Sequence, residues 1–262
     1  MSTLSLAVRD SSTMLRRNLL HMRRYPSMTL LLVGVPVITL LLFVYVFGGT
    51  LGAGLGPTGD RSQYANYVTP GILLITVASA AQGTAISVAM DMTEGIIARF
   101  RTMAIFRPSV LTGHVLGSLV QTLLSLAAVT GVALLVGFRP TANPVEWLAA
   151  IGVLSMITFA LAWLSVALGL VSDSVETASN LPMPLILLPF LGSGFVPTDS
   201  MPTVVRWFAD YQPFTPVMET LRGLLLGTGI GANGIIAVIW CVVISALSFL
   251  WAKTLYNRSR AT

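Results

Sequence analysis

The sequence contains six apolar runs, each roughly twenty residues long, and these runs limit the chain to very few folds. A helix of about 20 apolar residues crosses the hydrocarbon core of a bilayer, where it satisfies its own backbone hydrogen bonds. Only 10% of the 262 residues are charged, whereas soluble domains carry about 25%. The pattern excludes a soluble enzyme and predicts an all-α integral membrane protein. Six transmembrane helices are predicted, over residues 28–47, 67–90, 111–136, 147–171, 178–195 and 233–251.

Basic residues predict how these helices are oriented, because Lys and Arg accumulate on the cytoplasmic side of membrane proteins. Most of the 15 Lys and Arg lie before the first apolar run, between the second and third runs, or after the last one. Both termini are therefore predicted to be cytoplasmic, and six spans are consistent with this because an even number places both termini on the same side. The first run is too long for the apolar part of a secretory signal, so we expect it to be retained. Residues 1–262 are predicted to form one transmembrane domain.

Several kinds of chemistry lack the residues that they need. The only lysine is Lys253, so the chain has no P-loop motif, in which a lysine contacts the nucleotide phosphates. His21 and His114 fit no zinc-binding motif, so we expect structural or interfacial histidines and no metal site. The net charge of +5 is dispersed along the chain and does not predict nucleic-acid binding. An enzymatic role is therefore unsupported.

Residues 1–27 predict an amphipathic helix ahead of the first span. Apolar side chains recur there at helical spacing, and five arginines fall largely between them. This pattern is typical of a helix that lies in the cytoplasmic headgroup plane. A charge cluster that only orients the first span is the alternative.

The connection between the second and third spans is also amphipathic. Residues 91–101 begin with acidic side chains and end with Arg99 and Arg101, which complements a helix dipole. Gly95 follows Glu94, and a glycine lets another backbone approach closely. The segment is therefore predicted to dock on a motor protein. A loop that only sets the topology is the alternative.

Residues 181–227 are rich in proline and are predicted to be irregular. Three prolines fall within the fifth run, so that span is predicted to be bent or broken. Beyond it, Asp199 or Ser200 is predicted to cap a helix over residues 202–210, and Thr215 to cap a second helix that ends near Gly227.

Neither of these two helices is long or apolar enough to span a bilayer. They predict a re-entrant external hairpin that dips into the outer leaflet under a cover of protein. A partly ordered surface loop is the alternative. Because an unpaired charge at a membrane boundary is costly, we expect Arg222 to pair with Glu219 or with Asp210.

Polar residues inside the spans are few and uncharged. A gradient-driven carrier usually needs a titrating group within the membrane, and none is evident, which indicates that energy arrives from a soluble partner. A stripe of small, weakly polar residues, which includes Ser79, runs along the second span, and helix packing is its favoured interpretation. A possible translocation path is lined by Ser79, Gln82, Asn180 and Met183.

Several motifs follow one another along the chain. They are the Arg-rich entry segment, Tyr67-x-x-Pro70-Gly71, Glu94-Gly95 with Arg99, Leu191 to Pro197, Met201-Pro202, Pro213 to Pro216, and Arg222-Gly223. Their order and spacing resemble those of permease subunits of type-2 ABC exporters, most closely the daunorubicin-resistance-like branch. Gly192 and Met201 depart modestly from the family pattern.

The resemblance implies that this chain forms half of a permease, paired with a second copy or with a sister subunit. Two separate ABC ATPase subunits would bind ATP and Mg, and this chain would bind no cofactor. The resemblance implies that the coupling helix on the ATPase contains Glu94, Gly95, Arg99, Phe100 and Arg101. Spans one, two and five would surround the route. The external hairpin that closes it would carry Pro197, Pro202, Pro213, Pro216, Glu219 and Arg222.

The resemblance also implies a location and a cargo class. The chain would lie among the lipids of a bacterial plasma membrane and export a hydrophobic or amphiphilic drug, antibiotic or lipid. A permease for a lipid-linked glycan or polymer is the alternative within the same family. A gradient-driven carrier or an intramembrane enzyme is the alternative from another class.

Overall fold

The computed structural model describes residues 26–54, 60–95 and 108–258. These residues form helices joined by turns and loops, without a β-strand among them, so the all-α prediction is confirmed for this part of the chain. Residues 1–25 lie outside it, and the interfacial helix stays a prediction. The helices are α1 (Pro26–Leu41, continued by the π-helical Leu42–Phe47 and by Gly48–Ala53), α2 (Arg61–Thr93), α3 (Pro108–Val136), α4 (Pro144–Val171), α5 (Val175–Asn180), α6 (Met183–Leu187), α7 (Thr203–Tyr211), α8 (Phe214–Leu226) and α9 (Asn233–Arg258).

Five of these helices, α1 to α4 and α9, are long and apolar enough to cross a membrane. The most apolar window of α2 is 72% buried within the chain, against 17% in α1, 28% in α3 and 22% in α9. A helix that is apolar all round and buried all round belongs at the centre of a bundle. α2 is therefore the central helix, and α1, α3 and α9 leave apolar faces outside.

The predicted fifth span is not one helix. Residues 178–195 comprise the end of α5, the short α6 and a series of turns, because Pro182, Pro184 and Pro189 remove backbone donors and obstruct the preceding turn. The six predicted spans are therefore not confirmed, whereas the predicted break is.

The broken segment nevertheless follows α2 over most of its length. Near the start of the segment, the Gln82 side chain donates a hydrogen bond to the Ser179 carbonyl at 2.7 Å. At its end, the Tyr64 hydroxyl donates to the Phe195 carbonyl at 3.3 Å. Gln82 and Tyr64 are separated by about 27 Å of helix at ~1.5 Å per residue, close to the thickness of a hydrocarbon core, about 30 Å.

The two ends of α2 contact different parts of the chain. At the Asn66 end, the Asn66 side chain accepts from the Arg139 amide at 2.7 Å, and the Thr141 amide donates to the Leu225 carbonyl at 3.0 Å. At the Asp91 end, apolar side chains from α2, α3, α4 and α9 form a separate core cluster. The loop after α3 and the hairpin of α7 and α8 thus lie at the Asn66 end.

Caps explain where several helices begin, and they correct two predictions. The Asp60 side chain accepts from the Gln63 amide at 2.8 Å, so α2 begins six residues before the apolar run does. α7 starts after Pro202 and α8 after Pro213, without a side-chain cap. The predicted caps at Asp199, Ser200 and Thr215 are therefore wrong, because proline already presets the helical φ at these turns.

Candidate functional site

Arg222 joins three parts of the chain at the Asn66 end. It lies on α8 and is 8% exposed. Its guanidinium donates to Glu219 Oε1 at 2.5 Å, to the Ser193 carbonyl at 2.8 Å and to the Tyr67 carbonyl at 3.3 Å. The same group lies 4.0 Å from the centre of the Tyr67 ring, which adds a cation–π contact. The predicted pairing with Glu219 is confirmed, whereas Asp210 lies 3.6 Å from Arg206 instead.

The contacts of Arg222 matter because a buried charge is stable only when it is paired and hydrogen-bonded. Tyr67 belongs to α2, Ser193 to the turns that end the broken segment, and Glu219 to α8. One side chain therefore fixes the hairpin to the central helix and to the fifth apolar run.

Glycines allow the same elements to touch through their backbones. A Cβ placed on Gly71 of α2 would lie 2.8 Å from the Gly194 carbonyl oxygen and 2.9 Å from Gly194 Cα. A Cβ on Gly194 would lie 2.8 Å from the Pro189 carbonyl oxygen. These distances to backbone atoms are too short for a carbon atom, so both positions accept only glycine without a backbone shift. We call this pair the glycine contact.

Gln212, between α7 and α8, holds the hairpin against the broken segment. Its side-chain nitrogen donates to the Leu188 carbonyl at 2.9 Å and lies 3.3 Å from Thr215 Oγ1. A Cβ on Gly192 would collide with this nitrogen and would lie 2.7 Å from Thr215 Oγ1. A glycine at position 192 thus leaves the space that the Gln212 side chain occupies.

An aromatic cluster joins α1, α2 and the broken segment. The Phe43 ring, within the π-helical stretch, lies 4.5 Å from the Phe195 ring, which stacks on Phe190 at 4.5 Å. The Tyr64 hydroxyl bonds to the Phe195 carbonyl. The three elements predicted to surround the route therefore touch one another. Sequence reasoning missed this cluster, because no local pattern marks the π-helical stretch that places Phe43.

The prolines predicted for the hairpin sit at its corners. Pro197 precedes the 3-10 turn Thr198–Ser200, Pro202 precedes α7, and Pro213 precedes α8. Pro216 is buried in the first turn of α8, where its carbonyl accepts from the Thr220 hydroxyl at 2.7 Å. These residues shape the backbone of the hairpin and supply no reactive group.

α7 presents an exposed apolar face. Val204, Trp207 and Tyr211 are 82%, 67% and 66% exposed, and Arg206 pairs with Asp199 at 2.5 Å on the polar side. Trp and Tyr are enriched where a protein meets the membrane–water interface. The face is therefore typical of a helix lying at a bilayer surface.

The residues predicted to line a path are only partly brought together. Gln82 of α2 contacts Ser179, the neighbour of Asn180, and its side-chain nitrogen is used by that contact. Asn180 and Met183 are exposed at the broken segment, and Ser79 is half-buried in α2. The contact gives Gln82 a structural role in holding the broken segment.

The predicted coupling element begins where α2 ends. The Glu94 amide donates to the Met90 carbonyl at 2.9 Å, so Glu94 closes the helix and its side chain is exposed. Gly95 has φ +68°, a conformation that favours glycine and stops helices; helix termination therefore explains this glycine better than a close backbone approach. Arg99, Phe100 and Arg101 lie outside the described residues.

Asp91 was expected to open the connecting segment, but it lies inside α2 and is buried. Its Oδ2 atom is 3.1 Å from His114 Nε2 on α3. The expectation of a satisfied histidine at position 114 is confirmed. No titrating group within the membrane is evident from the sequence, but the structure places this Asp91–His114 contact between two helices that are long and apolar enough to cross a membrane.

Comparisons with known proteins cover most of the chain. Residues 10–226 match the family model of the ABC-2 type transporters. The daunorubicin resistance ABC transporter permease protein DrrB1 of Streptomyces coeruleorubidus is 29% identical over 85% of this chain and 77% of its own length. The probable doxorubicin resistance ABC transporter permease protein DrrC of Mycobacterium tuberculosis is 23% identical over 82% of this chain and 80% of its own.

A eukaryotic relative matches over a smaller share of its length. ABC transporter G family member 20 of Dictyostelium discoideum is 29% identical over 72% of this chain, which corresponds to 26% of that protein. The match to the family model extends from residue 10 to the end of the hairpin and thus includes α1 to α8. The chain is therefore a multi-pass membrane protein that belongs to the ABC-2 type transporter family and is homologous to the permease subunits of drug-resistance ABC transporters.

Proposed function

We propose that this chain is the transmembrane permease subunit of an ATP-driven exporter of hydrophobic or amphiphilic compounds. The observation that carries the proposal is the match of residues 10–226 to the ABC-2 family, joined to relatives whose names describe drug-resistance permeases. Membership of the family implies partnership with ABC ATPase subunits. These partners bind ATP and Mg and hydrolyse the nucleotide, and this chain supplies the route.

The Asp91 end is proposed to face the cytoplasm, where the ATPase subunits lie. The distribution of Lys and Arg supports this orientation. Residues 175–195 then form a sixth, irregular crossing that packs on α2 and the hairpin along one side, and non-helical backbone in a bilayer needs such a cover of protein. Six crossings place both termini in the cytoplasm and make the chain one permease domain.

A second copy of this chain, or a sister permease, is proposed to complete the route. The apolar windows of α1 and α9 are only 17% and 22% buried within one chain. Without a partner, the route would be open to lipid along these helices. The remaining apolar surface faces membrane lipid.

Two linked measurements test the proposed function. In the first, the affinity-tagged permease is co-expressed with its cognate ABC ATPase and isolated from membranes. In the second, inside-out vesicles that contain both proteins are assayed for doxorubicin uptake with and without ATP. We expect the ATPase to be co-isolated and uptake to require ATP. A partner carrying a Lys→Ala change in its P-loop should bind but support no uptake. Equal uptake with either partner would contradict the proposal.

Coupling is proposed to pass through residues 94–101. The double variant Glu94→Arg, Phe100→Ala reverses an exposed charge and shortens an apolar side chain in the segment that is proposed to dock on the ATPase. Transport should fall about tenfold, a loss of about 1.4 kcal/mol of coupling, while ATP hydrolysis continues. Transport and phosphate release are measured in the same vesicles.

The matched control makes an equivalent charge reversal and the same Phe→Ala change away from this segment. Asp173 is exposed in the loop after α4, and Phe249 of α9 contacts Trp163. The variant Asp173→Arg, Phe249→Ala should keep the wild-type ratio of transport to hydrolysis. If the Glu94 and Phe100 variant exports normally, the coupling assignment is wrong.

A further inference from the structure

α2 and α3 are tied together beside the point where the chain leaves the bundle. Asp91 Oδ2 and His114 Nε2 are 3.1 Å apart, and the two side chains are only 9% and 5% exposed. Asp91 precedes the end of α2 by two residues, and His114 follows the first residue of α3 by six. Any force applied to the chain between the two helices enters the bundle through these two ends.

The surroundings make this contact hard to break. Val88, Leu111, Val115 and Trp163 form an apolar cluster at the same end of the bundle. Separating Asp91 from His114 would break a polar contact between two buried side chains, which costs more than the same separation in water. The contact therefore resists divergence of the helix ends.

A second side-chain contact joins the same two helices further into the bundle. The Thr84 hydroxyl of α2 donates to Ser118 Oγ of α3 at 2.7 Å, and both residues are buried. Thr84 and Asp91 are separated by about 10 Å of helix at ~1.5 Å per residue. Contacts at two levels hold a pair of helices against both separation and relative tilt.

We infer that Asp91 and His114 are positioning residues that make α2 and α3 move as one unit when the partner ATPase displaces their ends. The inference rests on the proposed function. If the helix ends could diverge, part of a displacement would be absorbed locally and would not reach the Tyr67 and Gly71 region of α2. Loss of the pair therefore lowers the transport obtained for each ATP hydrolysed, more than it lowers hydrolysis itself.

The test replaces the pair with apolar residues, because an apolar pair of similar size keeps a buried site stable when an ionic or polar pair is removed. The double variant Asp91→Leu, His114→Leu is compared with the exchange Asp91→His, His114→Asp. Thr122→Val is the control, since Thr122 is a buried α3 residue that bonds within its own helix, to the Ser118 carbonyl. Doxorubicin uptake and phosphate release are measured in vesicles that contain the cognate ATPase.

We expect the transport obtained for each ATP hydrolysed to be about tenfold lower in the double leucine variant. Mutations along a coupling network change coupling by amounts of this size. The exchange variant should regain at least half of the wild-type ratio, and Thr122→Val should keep all of it. A wild-type ratio in the double leucine variant would overturn the inference. Failure of the wild-type complex to transport would instead overturn the proposed function.

A distance measurement tests the inference independently of transport. Spin labels are placed at Thr93→Cys on α2 and Leu116→Cys on α3 after the single native cysteine, Cys241, is replaced by serine. In nanodiscs, the wild-type background should give one narrow distance distribution, and the double leucine variant a broader one. Equal widths would contradict the inference even if no substrate were ever identified.

Discussion

Replacing Gly71 with alanine is expected to destabilise the protein severely, although the same change in an open helix position stabilises. Within a helix, Gly→Ala ordinarily gains about 1 kcal/mol. Here the added methyl would lie 2.8 to 3.1 Å from three backbone atoms of Gly194, and backbone cannot move aside as a side chain can. Overpacking of this kind costs about 1–3 kcal/mol and occasionally more, and we expect the upper part of that range.

The matched control for Gly71 lies on the same helix. Gly83 is exposed, and a Cβ there would meet no atom within 4 Å, so Gly83→Ala should be neutral or stabilising. Thermal unfolding of detergent-purified protein, followed by the loss of the monodisperse gel-filtration peak, compares the two variants. A Gly71→Ala protein as stable as wild type would show that the glycine contact is not required.

Replacing Arg222 with methionine is expected to have the second large effect. The variant leaves the partly buried Glu219 carboxylate and the Ser193 carbonyl without their donor. Removing one partner of a buried ion pair costs about 3–5 kcal/mol. We expect the folded fraction in membranes to fall sharply. The Arg222→Lys variant should recover only part of the folded fraction, because the point charge of lysine cannot reproduce a planar guanidinium that stacks on Tyr67.

Arg206→Met is the control for Arg222, since Arg206 also makes ion pairs but lies on the exposed side of α7. Its partners, Asp199 and Asp210, are 80% and 42% exposed, and exposed pairs contribute about 0–1 kcal/mol. The amounts of folded Arg206 and Arg222 variants in isolated membranes are compared. Equal losses would mean that burial of Arg222 has no energetic consequence.

Features set by local sequence could be predicted, and they include most of the fold. Apolar length located the five long helices, and the prolines of residues 182–189 predicted that the fifth run is broken. Spacing on a single helix predicted the pairing of Arg222 with Glu219. The start of α2 at Arg61 was missed, because the Asp60 cap extends the helix beyond its apolar part.

Features set by distant residues could not be predicted from one sequence. The glycine contact joins positions 71 and 194, and the buried pair joins positions 91 and 114; in neither case does the local pattern name the partner. The aromatic cluster depends on the π-helical stretch that continues α1, and this stretch has no local signature. The Arg222 network was predicted only in its local part, and its contacts to Tyr67 and Ser193 came from tertiary packing.

This chain is proposed to form a route that has no energy source of its own. The most direct test reconstitutes the purified chain in liposomes, with and without its cognate ATPase, and follows doxorubicin against its gradient. We expect accumulation only when both the ATPase and ATP are present, and none when an imposed proton gradient is the sole energy source. Sustained accumulation by the chain alone, with or without that gradient, would contradict it.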